Sequence, residues 1–112
     1  MKDPRFSEVN EMAPDGKSTF ALINGDLGWL MYLREPGDPG FSSRNPKYAG
    51  AADATIEYVL GNGQVDEYPA SWALPAVEIR RALTYFREHH KPPPFISWHN
   101  DSGDGSTIPS GA

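Results

Sequence analysis

The sequence predicts an α+β fold, in which an antiparallel sheet of about five strands carries one main amphipathic helix on one face. Three features predict it. Two pairs of β-rich segments each flank an Asn-Gly turn, a proline opens an apolar stripe with helical spacing, and a proline run precedes a last short apolar segment. The chain of 112 residues has the length of one domain.

The N-terminal residues 1–18 show neither a helical nor a strand period. They contain Pro4, Pro14 and Gly16 among scattered charges. Prolines and glycines without periodic apolar residues are typical of irregular chain. We therefore expect a poorly ordered lead-in before an ordered domain that spans residues 19–99.

The first strand pair is Thr19–Asn24 and Trp29–Arg34. Asn24-Gly25-Asp26 lies between them, and these residues accept the positive φ that hairpin turns require. The second segment is apolar at alternate and intervening positions, with Trp29 and Tyr32 on opposite faces. That pattern is typical of a central strand, or of a strand with one face in the core and one in an interface.

A long irregular segment follows over residues 35–53, and three glycines and three prolines interrupt it. Loops of this length in a small domain are often functional. Phe41 and Tyr48 are its aromatic residues. Either they pack against the edge of the domain, or they belong to a binding surface.

The second hairpin pairs Thr55–Leu60 with Gln64–Tyr68. With Asn62-Gly63 as a two-residue turn, Leu60 would pair with Val65 and Glu57 with Tyr68. This register places Glu67 among the core-facing residues. Either Glu67 lies at the rim of the sheet, or the register differs by one residue.

Pro75 opens the helix, and the apolar stripe runs to Phe86 before the three prolines at 92–94 end it. Phe95–His99 is the last strand, and residues 100–112 are expected to be a disordered tail. The predicted structural residues are the buried stripe of the helix and the closing tryptophan: Ile79, Leu83, Phe86 and Trp98.

Composition limits the function. The net charge is −5, which disfavours nucleic acid as a direct partner and permits a basic protein partner. There is no cysteine, no apolar run of about 20 residues and no secretory signal, so we expect a cytoplasmic protein that does not contact a membrane.

Candidate chemistry is sparse. Adjacent His89 and His90 point about 100° apart on a helix, so they do not converge on one metal ion. Glu57, Asp66 and His99 could serve a small enzyme, but none has a partner at catalytic spacing. We expect no cofactor and no catalysis. A protein that acts by binding, for example as a module of a larger regulatory assembly, is the preferred hypothesis.

The predicted partner surface is the sheet face opposite the helix, together with the long loop. An exposed face that carries both aromatic groups and carboxylates has the composition of protein-binding hot spots. Its predicted members are Asp26, Tyr32, Asp38, Phe41, Asp53, Glu57, Asp66, Tyr68 and Trp72.

Several of these motifs together resemble the Imm1 family of immunity proteins over roughly residues 19–99. They are the run from Asn24 to Tyr32, the second hairpin through Tyr68-Pro69, the helix opening Leu74-Pro75, and the closing segment that ends in Trp98. The resemblance implies an α+β protein with a C-terminal tryptophan. It also implies a cognate bacterial toxin as partner, most often a deaminase such as a DNA cytidine deaminase, in a 1:1 complex.

Overall fold

The structure, a computed structural model, describes residues 4–108. Within that range it is an α+β protein with an antiparallel sheet and one main helix, as the sequence predicts. The elements are β1 (Phe6–Met12), β2 (Ser18–Asn24), β3 (Leu27–Leu33), β4 (Phe41–Arg44), β5 (Thr55–Val59), β6 (Val65–Pro69), a 3₁₀ turn (Ala70–Trp72), β7 (Leu74–Pro75), α1 (Ala76–His89) and β8 (Ser97–Asn100).

The elements form three layers around a central sheet. That sheet has the strand order β1-β2-β3-β4-β8, and the two-residue β7 also pairs with β3. Helix α1 packs on one face. The β5–β6 hairpin forms a separate two-stranded sheet, which packs on the other face. We call these coverings the helix layer and the hairpin layer.

The helix layer packs on the sheet through a mainly aliphatic core. Ala21, Ile23 and Leu30 alternate toward the helix from β2 and β3, and they pack against Ile79 and Leu83. Alternate strand positions share a face, whereas helix positions three or four apart share a face, so the two patterns meet along one apolar seam. The predicted stripe therefore forms the main core.

Helix α1 begins after Pro75 and ends at His89, before the three prolines that were predicted to end it. His90 follows with φ 53°, and its N–H donates to the carbonyl of Phe86 at 2.8 Å. A left-handed residue directly after the last turn is a common helix C-terminus. Pro92 and the prolines after it prevent the helix from continuing.

The N-terminal segment is not an irregular lead-in, because residues 6–12 form β1. All seven residues of β1 pair with β2, from Phe6 opposite Asn24 to Met12 opposite Ser18. The expectation for residues 1–18 was wrong here, since an edge strand needs only a few apolar positions. Only Phe6, Val9 and Met12 are strongly apolar in it, which is too few to show a period. Residues 1–3 lie outside the described residues.

The C-terminal segment also differs from the disordered tail expected over residues 100–112. Asn100 ends β8, and its side-chain amide donates to Asp104 at 2.8 Å and to the carbonyl of Ser106 at 2.9 Å. Asp104 also accepts from Arg34 at 2.8 Å. Ile108 packs against the core around Phe41. Residues 109–112 lie outside the described residues.

The second hairpin differs from its predicted register by one residue, one of the two alternatives that the sequence left open. Glu57 lies opposite Glu67, and Tyr58 lies opposite Asp66. The loop has three residues, because the N–H of Leu60 donates to the carbonyl of Gln64 at 2.8 Å. Gly63 has φ 90°, as the last residue of a three-residue hairpin loop requires.

Candidate functional site

The sheet face opposite the helix is covered, contrary to the expectation of an open face. Tyr58 from β5 packs against Leu22 and Trp29 from the central sheet, and these three residues are buried. Ile56 and Tyr68 add to this second core from the edges. The corrected register explains it, because Ile56, Tyr58 and Tyr68 all point from the hairpin toward the sheet. On this side of the molecule, the surface available to a partner is therefore the outside of the hairpin.

Aromatic rings hold the hairpin layer to the sheet. The ring of Tyr68 stacks on Trp29 with centroids 4.2 Å apart, and Trp72 lies 6.0 Å from Tyr68. The guanidinium of Arg44 lies over the Trp72 ring, 3.9 Å from its centroid. Stacked pairs of this kind contribute about 0.5–1.5 kcal/mol each beyond the area that they bury. Tyr68 and Trp72, both predicted as contacts, are half-buried members of this stack.

Asp66 lies on the inner side of β6, at the edge of the stack. Its carboxylate accepts from the Tyr68 hydroxyl at 3.2 Å and from the Gln64 amide at 2.8 Å. Burial, reinforced by the Asp66 charge, raises the pKa of Tyr68. The phenol therefore stays protonated and donates a hydrogen bond to the carboxylate. Asp66 is thus half-buried and already hydrogen-bonded.

The outward face of the hairpin is acidic at its centre. Glu57 and Glu67 are exposed and lie directly opposite each other, and the hydroxyl of Thr55 donates to Glu67 at 2.9 Å. Like charges at paired positions of a sheet repel each other. Next along the strands, Val59 lies opposite Val65, which is 54% exposed. The face therefore combines two carboxylates with an apolar pair.

No cation of the segment itself neutralises these carboxylates. Between Tyr48 and Ile79 the sequence contains no lysine and no arginine, whereas Asp53, Glu57, Asp66 and Glu67 all fall within this stretch. We define the hairpin surface as the four exposed carboxylate residues Asp26, Asp53, Glu57 and Glu67 with Val59 and Val65.

The hairpin is fixed to its neighbours at both ends. The amide of Asn24 donates to the carbonyl of Glu57 at 2.9 Å, which places the Asp26 turn beside β5. At the tip, the N–H of Gly61 donates to Glu8 at 3.2 Å. The carbonyl of Asp26 also accepts from Ala76 at the start of α1, at 2.7 Å. Asp26 and Asp53 are exposed, so both remain available at the margin of the hairpin surface.

Three predicted contact residues lie elsewhere. Tyr32 and Phe41 are 4% and 3% exposed and pack with Phe86 in the core below the helix, so they cannot reach a partner. Asp38 forms an ion pair with Arg34, with Nε and Oδ2 2.8 Å apart. Hydrogen bonds from this guanidinium hold the pKa of the Asp38 carboxyl well below its usual range. All three residues therefore stabilise the fold: Tyr32 and Phe41 by packing in the core, and Asp38 through its ion pair.

The residues predicted as structural lie in the helix layer or, in the case of Trp98, on β8 against the same core. Ile79, Leu83 and Phe86 are buried. Trp98 is half-buried, and its indole N–H donates to the carbonyl of Pro93 at 3.0 Å. The indole N–H thereby ties the last strand to the proline segment that ends the helix.

Glu67 and Val65 were missing from the predicted contact set, and the register error is the reason. The two-residue turn assigned both to the inner face, whereas the three-residue loop turns both outward. Two signals could have corrected this. The loop has glycines at positions 61 and 63, and the burial of Glu67 in a core is energetically costly.

The structure offers no grouping typical of a metal centre within residues 4–108, where no three His, Asp or Glu side chains are placed to share an ion. In the same range, no helix is long and apolar enough to cross a membrane. What the described residues present is a folded acidic surface, which is suited to binding.

Comparison with known proteins identifies the family. Residues 4–100 match the Imm1 immunity protein family, and the match includes β1. No curated protein and no solved structure matches the chain. The chain therefore belongs to the Imm1 family of immunity proteins, a membership that supports an immunity function and implies a cognate toxin as partner.

Proposed function

We propose that this immunity protein neutralises a toxin that deaminates cytosine in DNA, and that it does so by binding with the hairpin surface. The observation that carries the proposal is the outward pair Glu57 and Glu67, with no lysine or arginine between Tyr48 and Ile79. Family membership supplies the class of partner, a toxin. The charge of the surface supplies the argument for a toxin that binds nucleic acid.

An enzyme that acts on DNA must attract phosphates, so it carries clustered lysines and arginines around its substrate groove. A deaminase also needs a pocket that accepts the target base next to a zinc-bound water. An acidic surface placed over such a groove competes directly with DNA for the same cations. The net charge of −5 would also speed the encounter with a basic toxin.

The hairpin surface has the parts that a tight interface needs. Val59 and Val65 offer apolar contact beside the carboxylates of Glu57 and Glu67. An arginine of the partner could pair with both carboxylates while its aliphatic stem packs on the valines. Asp66, Tyr68 and Trp72 then act below this surface, because they hold the hairpin in place. They contribute to binding through position rather than through direct contact.

We expect a 1:1 complex that forms in the cytoplasm and buries on the order of 1,200–2,000 Å². Protection of the cell at low protein concentration requires a Kd of about 1 nM or lower, which is about −12 kcal/mol. No reaction by the immunity protein is needed, since coverage of the pocket and exclusion of DNA are sufficient. Binding, and not catalysis, is the proposed activity.

The first experiment is co-expression with the toxin domain encoded beside this gene, followed by size exclusion, a survival assay and a cytosine deamination assay on DNA. A stable complex that restores growth and abolishes deamination is the expected result. A complex with a toxin of different chemistry would support immunity but overturn the deaminase assignment. Without a complex and without rescue, the toxin-neutralising role itself is wrong.

The second experiment tests the surface. The double variant Glu57→Lys/Glu67→Lys should raise the Kd by at least 100-fold and leave thermal stability nearly unchanged, because both side chains are exposed and one like-charge pair replaces another. The matched control is Glu35→Lys/Glu88→Lys, which reverses two exposed glutamates outside the hairpin surface. Equal effects of the two double variants would show that net charge alone matters and that this face is not the interface.

A further inference from the structure

A cleft of about 410 Å³ lies beside the hairpin layer, where the ends of β4 and β8 meet the first turn of α1. Leu74 and Phe95 give it apolar walls, and Arg44, Lys47 and Glu78 line its polar side. We call it the Arg44 cleft. Such a combination of apolar wall and a few polar groups is typical of a pocket that receives one anchoring side chain.

Arg44 is held rigidly but is only weakly paired with a carboxylate. Its guanidinium lies over Trp72, and Nη1 donates to the hydroxyl of Ser42 and the carbonyl of Ser43, both at 2.9 Å. Its ion pair is with Asp101, at a long 3.9 Å from Nη2. Burial lowers the pKa of Arg44, and the charge of Asp101 acts in the opposite direction. Nε and Nη2 make no hydrogen bond within residues 4–108.

The surroundings of the cleft are cationic. Lys47 is exposed, and its ammonium has no ion pair within the described part of the chain. The guanidinium of Arg81 lies 4.0 Å from the centroid of the Phe95 ring, and it pairs with Glu78 at 3.6 Å. Three cations in and beside the cleft thus outnumber the two nearby carboxylates, Glu78 and Asp101, in a chain whose net charge is −5. The cleft is a positive site on an acidic protein.

We infer that the Arg44 cleft receives an aspartate or glutamate side chain of the toxin, carried on a segment with an adjacent apolar residue. The carboxylate pairs with Arg44 and Lys47, and the apolar neighbour packs on Leu74 and Phe95. This inference rests on the toxin-binding role proposed above. At the hairpin surface the immunity protein supplies the negative charge, whereas at the cleft it supplies the positive charge.

The cleft and the hairpin layer are continuous through Trp72. One face of this ring carries Arg44, and the ring also stacks with Tyr68 and Trp29. A toxin seated on the hairpin surface can therefore reach the cleft without crossing the molecule. Positive and negative sites side by side fix the orientation of the partner and exclude uniformly basic proteins, since these are repelled at the cleft.

The test uses the full chain and a catalytically inactive variant of the toxin domain encoded beside its gene. Lys47→Glu should raise the Kd at least tenfold without a change in melting temperature, because the side chain is exposed and unpaired. The control is Lys91→Glu, the same charge reversal at an exposed lysine after α1. This pair of variants separates the local site from the effect of net charge.

A second variant places a carboxylate in the cleft itself. Ser97 is exposed and lies opposite Arg44 in the β4–β8 ladder, so Ser97→Glu should pair with Arg44 and compete with the toxin side chain. We again expect at least a tenfold increase in Kd. Thr84→Glu, an exposed position on α1, is the matched control.

The outcomes are distinguishable. Weakening by Lys47→Glu and Ser97→Glu, with both controls unchanged, supports the inference. If the wild-type chain binds the toxin and all four variants bind equally well, the cleft inference is wrong while the proposed function stands. If the wild-type chain does not bind the toxin, both proposals are overturned, since the cleft was assigned to the same partner.

Discussion

The two layers that cover the central sheet differ in what their outer surfaces offer. The helix layer packs aliphatic side chains against the sheet, and its helix carries three arginines and two glutamates on the outside. The hairpin layer packs aromatic rings, and its outside carries Glu57 and Glu67 with no cation in the segment. One layer has nearly balanced charge, whereas the other is uniformly acidic.

The difference indicates a division of roles. Mixed charge on a helix surface serves solubility and local pairing, as in the 3.6 Å pair of Arg81 with Glu78. Unbalanced charge at paired strand positions costs stability, so it is retained more readily where a partner supplies the opposite charge. The helix layer should therefore determine whether the chain folds, and the hairpin layer should determine what it binds.

The largest expected effect comes from the helix layer. Phe86 is 1% exposed and joins the stripe of α1 to the core around Tyr32. Phe86→Ala should lower the free energy of unfolding by about 3–5 kcal/mol, because it leaves a cavity in a packed core. Urea denaturation measures this. Met12→Ala, at a residue 73% exposed, is the control and should change little.

Two results would contradict this contrast between the layers. Phe86→Ala could lower the free energy of unfolding by less than about 1 kcal/mol, or the folded variant could bind the toxin much more weakly than the wild type. Either result would mean that the helix layer is not a purely structural support.

A second prediction concerns the close approach of helix and sheet at Gly28. A Cβ at this position would lie 2.9 Å from Cγ1 of Ile79 and 3.0 Å from the carbonyl oxygen of Leu22. Gly28→Ala should therefore destabilise the protein by about 1–3 kcal/mol through overpacking. Gly61→Ala is the matched control in the hairpin loop, where the nearest atom is 3.9 Å away. Thermal unfolding of the two variants should separate them clearly, and equal melting temperatures would contradict this packing.

The hairpin layer should respond to alkaline pH. Burial raises the pKa of Tyr58 to about 12, whereas the unfolded chain titrates near 10. The protonated phenol therefore stabilises the fold below about pH 10, and this contribution is lost as pH rises from 10 toward 12. The expected loss is on the order of 1–3 kcal/mol, measured by denaturation at each pH.

Tyr58→Phe removes the titrating group and should flatten this part of the pH profile. If the wild type and the variant lose stability in parallel between pH 10 and 12, another group is responsible, and the burial of Tyr58 under the hairpin layer is not what sets the alkaline limit.

Prediction from sequence succeeded where the residues of one element are enough to define its bounds and its buried face. The helix is an example, because local signals mark its start at Pro75 and its end at the proline run. Its buried face follows from the apolar spacing of Ile79, Leu83 and Phe86. It failed where a single residue of register decides the outcome. The choice between a two-residue and a three-residue loop moved Glu67 from the inside of the hairpin to the outside.

The same limit explains the candidate site. Asp26, Asp53 and Glu57 were predicted as partner contacts, and all three are exposed. Exposure was predictable because charged residues are rarely buried without a partner. Tyr32 and Phe41 were predicted as contacts and are buried. Their position depends on β4 pairing with β3 and β8, and no local pattern shows that pairing between distant segments.

The sequence by itself determined the fold class, the helix with its buried stripe, the acidic balance and the resemblance to immunity proteins. These depend on composition, on local periodicity and on motifs, which the chain carries in any conformation. Only the tertiary structure decided that the second hairpin leaves the central sheet and covers its open face, and that Glu57 meets Glu67 outside it. The reason is physical: Leu22, Trp29 and Tyr58 bury each other only when the layers stack, and that gain comes from contacts between segments far apart in the chain.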